Sequence, residues 1–300
     1  MKFGRVDHPE TIDFSLPVDH SATAKVLSGN KEPLQDIYVG CAKWNKQDLK
    51  GFYPRGTKDE LGYYSKEFNS IELNATFYNL YSEDQILKWK EKTPGTFKFF
   101  PKLPRYVSHV KRLAEGYQGY LNDYLLGIQA FGDQLGMLFL QLHDNFGPKD
   151  ENFNRLKAFV QQFPQDLPLS VELRHTDWFG LSDISAALYD LFEKHNITNT
   201  LVDSAGRRDI MHMRLTTPTA FVRYVGANHE SDYSRLDDWI VRIKQWKAQG
   251  LKNLYFFIHQ NLEKESPLLA SYFIQKLNDE IGTNIKVPSL PDGGQVGLGI

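Results

Sequence analysis

The fold is decided by three consecutive segments, which read LGMLFLQL at residues 135–142, FNRLKAFVQQF at 153–163 and LSVELRH at 169–175. The first and third are short apolar runs, typical of strands that are covered on both faces. The middle segment places Phe153, Leu156, Val160 and Phe163 on one face of a helix. A buried strand, a helix and a second buried strand together predict a βαβ unit with parallel strands.

The same alternation continues on both sides of this unit. Strand-like runs occur at residues 37–42, 70–76, 98–103, 135–142, 169–175, 199–204, 220–226 and 253–261. Eight strands alternating with helices over about 250 residues predict an α/β fold of the (β/α)₈ TIM-barrel class. Residues 205–219 are too short and too polar for a full covering helix, so the helix between strands six and seven is predicted to be irregular or missing. A doubly wound open sheet is the alternative, but no Gly-x-Gly-x-x-Gly motif follows the first strand.

The composition is that of a globular chain. Its 300 residues are 41% hydrophobic and 24% charged, which excludes intrinsic disorder, and the net charge of −2 gives no electrostatic reason to expect a nucleic-acid partner. The single cysteine, Cys41, cannot form an internal disulfide, and the chain has no apolar run long enough to cross a membrane. We therefore expect a cytoplasmic protein without a membrane partner. Residues 1–35 are predicted to be an extension packed on the barrel, 36–285 a single barrel domain and 286–300 a loose tail.

Polar side chains stand on the predicted strands where a core needs apolar ones. They are Glu72 and Asn74 on strand two, Lys102 on strand three, Gln141 on strand four, Glu172 and Arg174 on strand five, and Arg223 on strand seven. An isolated buried charge costs several kcal/mol, so a random scatter of such residues is improbable. Most lie near the carboxyl ends of their strands, where barrel enzymes have their active sites. The pattern favours a functional site, with a structural ion network as the alternative.

The residue types indicate acid/base chemistry on a small anionic ligand. Lys102, Arg174 and Arg223 are expected to bind the anion, and Glu172 or Glu72 to act as general acid or base. The candidate catalytic residues are Glu72, Lys102, Glu172 and Arg174, and the candidate substrate-binding residues are Asn74, Tyr78, His109, Gln141, His175 and Arg223. We expect the side chains of Glu72, Lys102, Gln141, Glu172, Arg174 and Arg223 to converge, and one cation to remain without a carboxylate of its own.

Three classes of function remain open at this point. The first is an enzyme without a cofactor, of the hydrolase, lyase or isomerase type. The second is non-catalytic binding of a phosphorylated or carboxylated ligand or of a nucleic-acid end. The third is a metal-dependent hydrolase or isomerase that uses Glu172, Asp203, His175 and His143, although no metal-binding spacing is present and no metal ligand is assigned.

Several of these segments resemble the YecE-like family, a domain of unknown function assigned to the TIM-barrel fold. The matching stretches are GCAKW at 40–44, FYP at 52–54, FNSIELNATFY at 68–78, FFPKLPR at 99–105 with His109, and VELRH at 171–175 with Trp178. The resemblance runs from about residue 37 to about residue 280. It implies the barrel fold but no particular reaction.

Overall fold

The computed structural model of the protein describes residues 4–290. Within that range the chain forms nine strands: β1 (Asp36–Cys41), β2 (Ser70–Leu73), β3 (Lys98–Pro101), β4 (Leu138–Gln141), β5 (Leu169–Glu172), β6 (Thr198–Asn199), β7 (Leu201–Ser204), β8 (Thr219–Gly226) and β9 (Asn253–Gln260). Most of these strands are buried along their whole length, which is why their sequences are apolar runs rather than alternating patterns.

Helices connect and cover the strands. The described part of the chain contains α1 (Ser21–Ser28), α2 (Glu60–Glu67), α3 (Ala75–Tyr78), α4 (Glu83–Glu91), α5 (Gln118–Ile128), α6 (Asp150–Gln162), α7 (Asp177–Gly180), α8 (Ser182–Lys194), α9 (Ser231–Gln249) and α10 (Ser266–Ile281). Between β7 and β8 the described chain forms a short 3₁₀ helix, Ala205–Ile210, and no α-helix. A π-helix, Tyr106–Val110, follows β3.

The strands form three separate parallel sheets with the orders β1-β9-β8-β7, β2-β3 and β4-β5-β6. The prediction of a closed (β/α)₈ TIM barrel is therefore wrong, and the architecture is a mixed α/β fold. The continuous ladder that a closed barrel requires is interrupted at three borders, between β1 and β2, between β3 and β4, and between β6 and β7.

At the border of β1 and β2, side chains replace the backbone ladder. Asn69 accepts a hydrogen bond from the Val39 amide through Oδ1 (3.0 Å) and donates one to the Ile37 carbonyl through Nδ2 (2.8 Å). The two backbones come close at Gly40, where a Cβ atom would lie 2.2 Å from the Ser70 carbonyl oxygen. Side-chain bridges of this kind join the strands but do not create a backbone ladder.

The other two borders have different causes. Between β3 and β4 the pairing is reduced to isolated bridges, Phe99 with Leu135 and Lys102 with Phe139. Between β6 and β7 one continuous chain segment changes its partner at Thr200: β6 pairs with β5, and β7 pairs with β8. The predicted sixth strand at 199–204 is consequently divided between two sheets.

A small aromatic core lies between the sheets. It contains Phe100 from β3, Phe139 from β4, Phe221 from β8 and Phe257 from β9, together with Met137. The Phe100 and Phe257 rings are 4.8 Å apart, and those of Phe139 and Phe221 are 5.6 Å apart. Because these strands belong to all three sheets, this core joins the sheets where their hydrogen-bonded ladders do not.

The segments at the two ends of the described chain also make defined contacts. In the amino-terminal part, Thr23 donates to the Met213 carbonyl and Asn30 to the Gly250 carbonyl. In the carboxyl-terminal part, the Ser289 amide and Lys286 Nζ donate to Glu67 of α2. Residues 1–3 and 291–300 lie outside the described residues, and the predicted division into 1–35, 36–285 and 286–300 stays a prediction.

None of the helices within residues 4–290 combines the length and the apolar character that a membrane crossing requires.

The role of Asn69 at the β1–β2 border can be tested by Asn69→Ala. We expect the free energy of unfolding to fall by about 2–4 kcal/mol, because two hydrogen bonds are lost and two backbone groups lose a partner. Urea denaturation measures this change. The control is Asn154→Ala at an exposed position of α6, which should change stability by no more than about 0.5 kcal/mol. Equal effects of the two substitutions would contradict the assigned role.

Candidate functional site

A polar layer lies directly above the aromatic core, and strand geometry explains why. Residues i and i+2 of a strand point to the same side, about 6.5 Å apart. Two positions after Phe100, Phe139, Phe221 and Phe257 come Lys102, Gln141, Arg223 and His259. Each strand therefore contributes first a phenyl ring and then a polar side chain toward the same interior.

Arg223 is the centre of this layer. Its guanidinium binds Glu72 through two parallel hydrogen bonds of 2.8 and 2.7 Å, and its Nη1 donates to Glu172 Oε2 at 2.5 Å. The side chains of Glu72 and Glu172 are 0% exposed and that of Arg223 is 1% exposed. Charges buried this deeply are stable only when they are paired. The geometry of the three residues is therefore rigidly defined.

Three cations converge on the amide oxygen of Gln141. Lys102 Nζ donates to it at 2.8 Å, Arg174 Nη2 at 3.0 Å and Arg223 Nη1 at 3.4 Å. Arg174 also donates to Glu172 through Nε. The acceptor shared by the three cations is thus a neutral group, which provides hydrogen bonds without compensating charge.

The structure brings together all six side chains that were expected to converge. His259 joins them, since its Nε2 lies 3.0 Å from Glu72 Oε2. Together these residues are called the Arg223 network below: Glu72, Lys102, Gln141, Glu172, Arg174, Arg223 and His259. His259 was not among the predicted site residues. Its position two residues after Phe257 could have predicted it, because the two side chains point to the same side of β9. Glu263 Oε1 lies 3.7 Å from His259 Nδ1. Glu263 follows β9 and is not part of the strand pattern, so its position near the network could not be predicted from the sequence.

Lys102 is the cation of the network without a carboxylate partner. Within residues 4–290, Nζ of Lys102 has no carboxylate oxygen closer than 4.0 Å, and it lies 4.2 Å from the centre of the Phe77 ring. Burial, reinforced by the positive charge of Arg223, lowers the pKa of Lys102 to about 7. Its ammonium and neutral amine forms are therefore both populated near neutral pH.

The two glutamates of the network, unlike Lys102, stay in a single charge state near neutral pH. Burial opposes their ionisation, but the guanidiniums outweigh it: Arg174 and Arg223 hold the pKa of Glu172 at about 2. Arg223 and His259 likewise hold the pKa of Glu72 well below its usual range. Carboxylates with such low pKa values are weak bases at neutral pH. Their expected general acid/base role is therefore less well supported by the geometry than a role in fixing Arg223.

The remaining predicted residues surround the network at different distances. Asn74 donates to Glu72 Oε1 at 2.7 Å, so it contacts the network directly. Tyr78 and His109 pack edge-on against the Phe77 ring that lies beneath Lys102, with ring centres 5.0 Å apart in both cases. Burial, and after it the charge of Lys102, lowers the pKa of His109 to about 4. Among the described residues, Tyr78, His109 and His175 make no hydrogen bond to the network.

The four residues considered as metal ligands do not form a common site. Asp203 is bound by Arg235 at 2.7 Å and by the Trp239 indole at 2.7 Å, whereas Glu172 belongs to the Arg223 network. His175 Nδ1 lies 3.7 Å from Asp177. The part of the chain from 4 to 290 contains no group of three or more His, Cys, Asp or Glu side chains arranged to hold a metal ion.

Comparison with known proteins identifies relatives over most of the chain. The family model described as "Protein of unknown function DUF72" matches residues 38–293. The UPF0759 protein YecE of Escherichia coli K12 is 24% identical over 277 residues, which cover 85% of this chain and 97% of that protein. The UPF0759 protein YunF of Bacillus subtilis strain 168 is 28% identical over 156 residues, or 48% of this chain and 52% of that protein. The expected resemblance to the YecE-like family is confirmed.

Solved structures share the fold. A DUF72 family protein of Enterococcus faecalis V583 superposes with a TM-score of 0.68 at 14% identity, covering 84% of this chain and 100% of that chain. A DUF72 family protein of Thermotoga maritima MSB8 gives 0.67 at 24% identity, covering 81% and 100% respectively. At these identities the likeness concerns the fold alone.

The structural importance of the Glu172 carboxylate can be tested by Glu172→Gln. We expect the free energy of unfolding to fall by about 3 kcal/mol or more, because Arg223 and Arg174 lose a buried counter-charge. Glu151→Gln, which alters an exposed ion pair on α6, is the matched control and should cost at most about 1 kcal/mol. Chemical denaturation near neutral pH compares the two. An unchanged stability of Glu172→Gln would mean that the charge is not needed for folding.

The energetic cost of the buried ammonium can be tested by Lys102→Met. The pKa of Lys102 in the folded protein, about 7, lies below that of a lysine in the unfolded chain, about 10.4. Between these values the unfolded chain binds more protons, so this residue lowers stability most below about pH 7 and less as the pH rises toward 10. We therefore expect Lys102→Met to stabilise the fold by about 2–4 kcal/mol near pH 6, and by less near pH 9.

Urea denaturation at the two pH values gives the comparison. Lys244→Met, at an exposed position of α9, is the control and should show no such pH-dependent gain. A Lys102→Met protein that is less stable than the wild type near pH 6 would contradict the expected cost.

Proposed function

The chain belongs to the DUF72 family of proteins of unknown function, and from its site we propose that it is an enzyme acting on a small anionic substrate. Lys102 and Arg174 bind the anionic group, and Lys102 transfers the proton. The observation that carries the proposal is the buried ammonium of Lys102, which lies beside a neutral amide oxygen and a phenyl ring and has no carboxylate within 4.0 Å among the described residues.

The charge balance of the Arg223 network supports an anionic ligand. Arg223 binds Glu72 and Glu172, Arg174 binds Glu172, and His259 lies between Glu72 at 3.0 Å and Glu263 at 3.7 Å. Lys102, in contrast, has no carboxylate within 4.0 Å among residues 4–290, so its charge is the one that a ligand can match. A partly desolvated cation is stabilised strongly by a charge-assisted hydrogen bond, and a carboxylate or phosphate oxygen provides one.

Two cations, Arg174 and Lys102, are the most exposed members of the network. The Arg174 side chain is 11% exposed and Lys102 7% exposed, whereas both glutamates are 0% exposed. A ligand that enters from solvent thus meets Lys102 and Arg174 before it meets Glu72 or Glu172. This arrangement favours the cations as the binding groups and the glutamates as the supports behind them.

The proton-transfer role follows from the pKa of Lys102. The pKa of Lys102 is about 7 in the ligand-free protein, and a bound anion raises it, so Lys102 is protonated in the complex and acts as a general acid. Proton transfer next to a bound carboxylate or phosphate is a step that lyases and isomerases share. The glutamates, held ionised by their guanidinium partners, are poor candidates for it.

Non-catalytic binding of the same anion is the second candidate. It is favoured by the saturation of both carboxylates by hydrogen bonds, so that neither glutamate is free to accept a proton from a ligand. The two candidates can be distinguished by incubating organic carboxylates and phosphate esters with the protein in D₂O. Exchange of a substrate C–H by the wild type but not by Lys102→Met supports catalysis. Saturable binding without exchange or conversion supports the binding role.

Anion binding itself can be measured with sulfate, whose charge does not change between about pH 5 and pH 9. We expect sulfate affinity to be constant below about pH 7 and to fall by about tenfold per pH unit above it, because the amine must take up one proton to bind the anion. Isothermal titration calorimetry across this range measures the slope. Lys102→Met should bind much more weakly and without this pH dependence, and Lys244→Met should behave like the wild type. Equal affinities of the wild type and Lys102→Met would contradict the proposal.

A further inference from the structure

A cavity of about 250 Å³ lies beside the Arg223 network. Its apolar side is formed by Ala42, Trp44, Leu73, Ala75 and Tyr78. Its polar side is formed by Asn45, Glu72, Asn74 and Lys43, whose Nζ is paired with Asp48 Oδ2 at 3.3 Å. Larger cavities of about 550 and 710 Å³ occur near Asp36 and near Gln118, but neither is lined by a residue of the network. Among these, the 250 Å³ cavity is the one that is lined by a residue of the Arg223 network, Glu72.

The two aromatic residues that line this cavity, Trp44 and Tyr78, are positioned by contacts with neighbouring residues. The Trp44 ring packs edge-on against Trp89 with ring centres 5.6 Å apart, and the Trp44 carbonyl accepts a hydrogen bond from the Tyr53 hydroxyl. The Tyr78 ring packs against Phe77 at an interplanar angle of 89°. Tyr78 is nevertheless 70% exposed, so most of its side chain is open to solvent.

Phe77 lies between Lys102 and Tyr78, a residue that lines the cavity. Phe77 contacts both, since its ring lies 4.2 Å from Lys102 Nζ and also meets the edge of Tyr78. Asn74 lines the cavity and donates to Glu72, which Arg223 binds on its other side. A molecule with its anionic group on Lys102 would therefore extend over Phe77 and Tyr78 into the cavity.

We propose that the ligand is an organic carboxylate or phosphate ester with a compact apolar body that occupies this cavity. The cavity is smaller than the roughly 300–1,000 Å³ of sites for drug-sized ligands, so the body is a single ring or a short branched chain. An anion without such a body would leave the aromatic walls in contact with water. This inference rests on the proposed function, because it takes the anionic group to lie at Lys102 and Arg174.

The test compares ligands that have the same head group with and without an apolar body. Methyl phosphate is compared with phenyl phosphate, and acetate with benzoate, by calorimetry near pH 6.5, with phenol as the body alone. We expect the phenyl compound of one pair to bind at least about tenfold more tightly than its methyl counterpart, as when roughly 55 Å² of apolar surface leaves water. The pair that shows the larger ratio identifies the head group as phosphate or carboxylate.

Two variants test whether the apolar body of the ligand occupies the cavity. Ala75→Leu fills the cavity and Tyr78→Ala removes one wall, so each should reduce the phenyl-to-methyl ratio toward one while methyl phosphate or acetate binding is kept. Leu126→Ala, at an exposed position of α5, is the control and should leave the ratio unchanged. Circular dichroism and thermal melting verify that each variant is folded.

The outcomes separate the two proposals. The cavity assignment would be overturned, with the anion site intact, if the phenyl compounds bound no more tightly than their methyl counterparts. The same holds if the phenyl-to-methyl affinity ratio were unchanged in both variants. A failure of all four anions to bind the wild type would overturn the proposed function itself.

Discussion

The buried guanidinium of Arg223 binds carboxylates from two other sheets, and the arrangement of the polar layer depends on this contact. Arg223 lies on β8, Glu72 on β2 and Glu172 on β5, so the one side chain contacts residues of all three sheets. The backbone ladder is interrupted between those sheets, and the interior aromatic side chains and this ion triad connect them instead. A buried charge with two partners permits few alternative geometries, since any displacement leaves a charge unpaired. The positions of Gln141, Arg174 and Lys102 follow from it.

Much of the fold could be predicted from the sequence because it depends on local pattern. Apolar runs identified the strands, and the polar residues at their ends were recognised as exceptional. The closure of the sheet could not be predicted, because it depends on tertiary contacts at single residues. Asn69 substitutes for a backbone ladder, and the chain changes partner at Thr200, yet neither residue interrupts the apolar pattern around it. Strand periodicity identifies strands but carries no information about which backbone groups pair.

The composition of the site was more predictable than its chemistry. Glu72, Lys102, Gln141, Glu172, Arg174 and Arg223 stood out as polar residues on buried strands, and the structure brings them together. Their individual roles depend on which charge lies nearest to which, and this cannot be read from spacing. Glu172 was expected to act as an acid or base, but two guanidiniums hold it ionised. Lys102, expected to bind the anion and counted among the catalytic candidates, has its pKa lowered to about 7 by burial and by the positive charge of Arg223.

The identity of residue 141 has a consequence for how such a site can arise or be lost. Glutamine and glutamate have nearly the same shape, so replacing the Gln141 amide nitrogen by oxygen would place a third carboxylate among the three cations without changing the packing. Lys102, which donates to residue 141, would then have a carboxylate partner and would be an ordinary salt-bridged lysine with no reason to attract an external anion. Glutamine codons differ from glutamate codons by a single nucleotide. If the proposed function is right, a single point mutation would therefore separate an anion-binding centre from an internally neutral one.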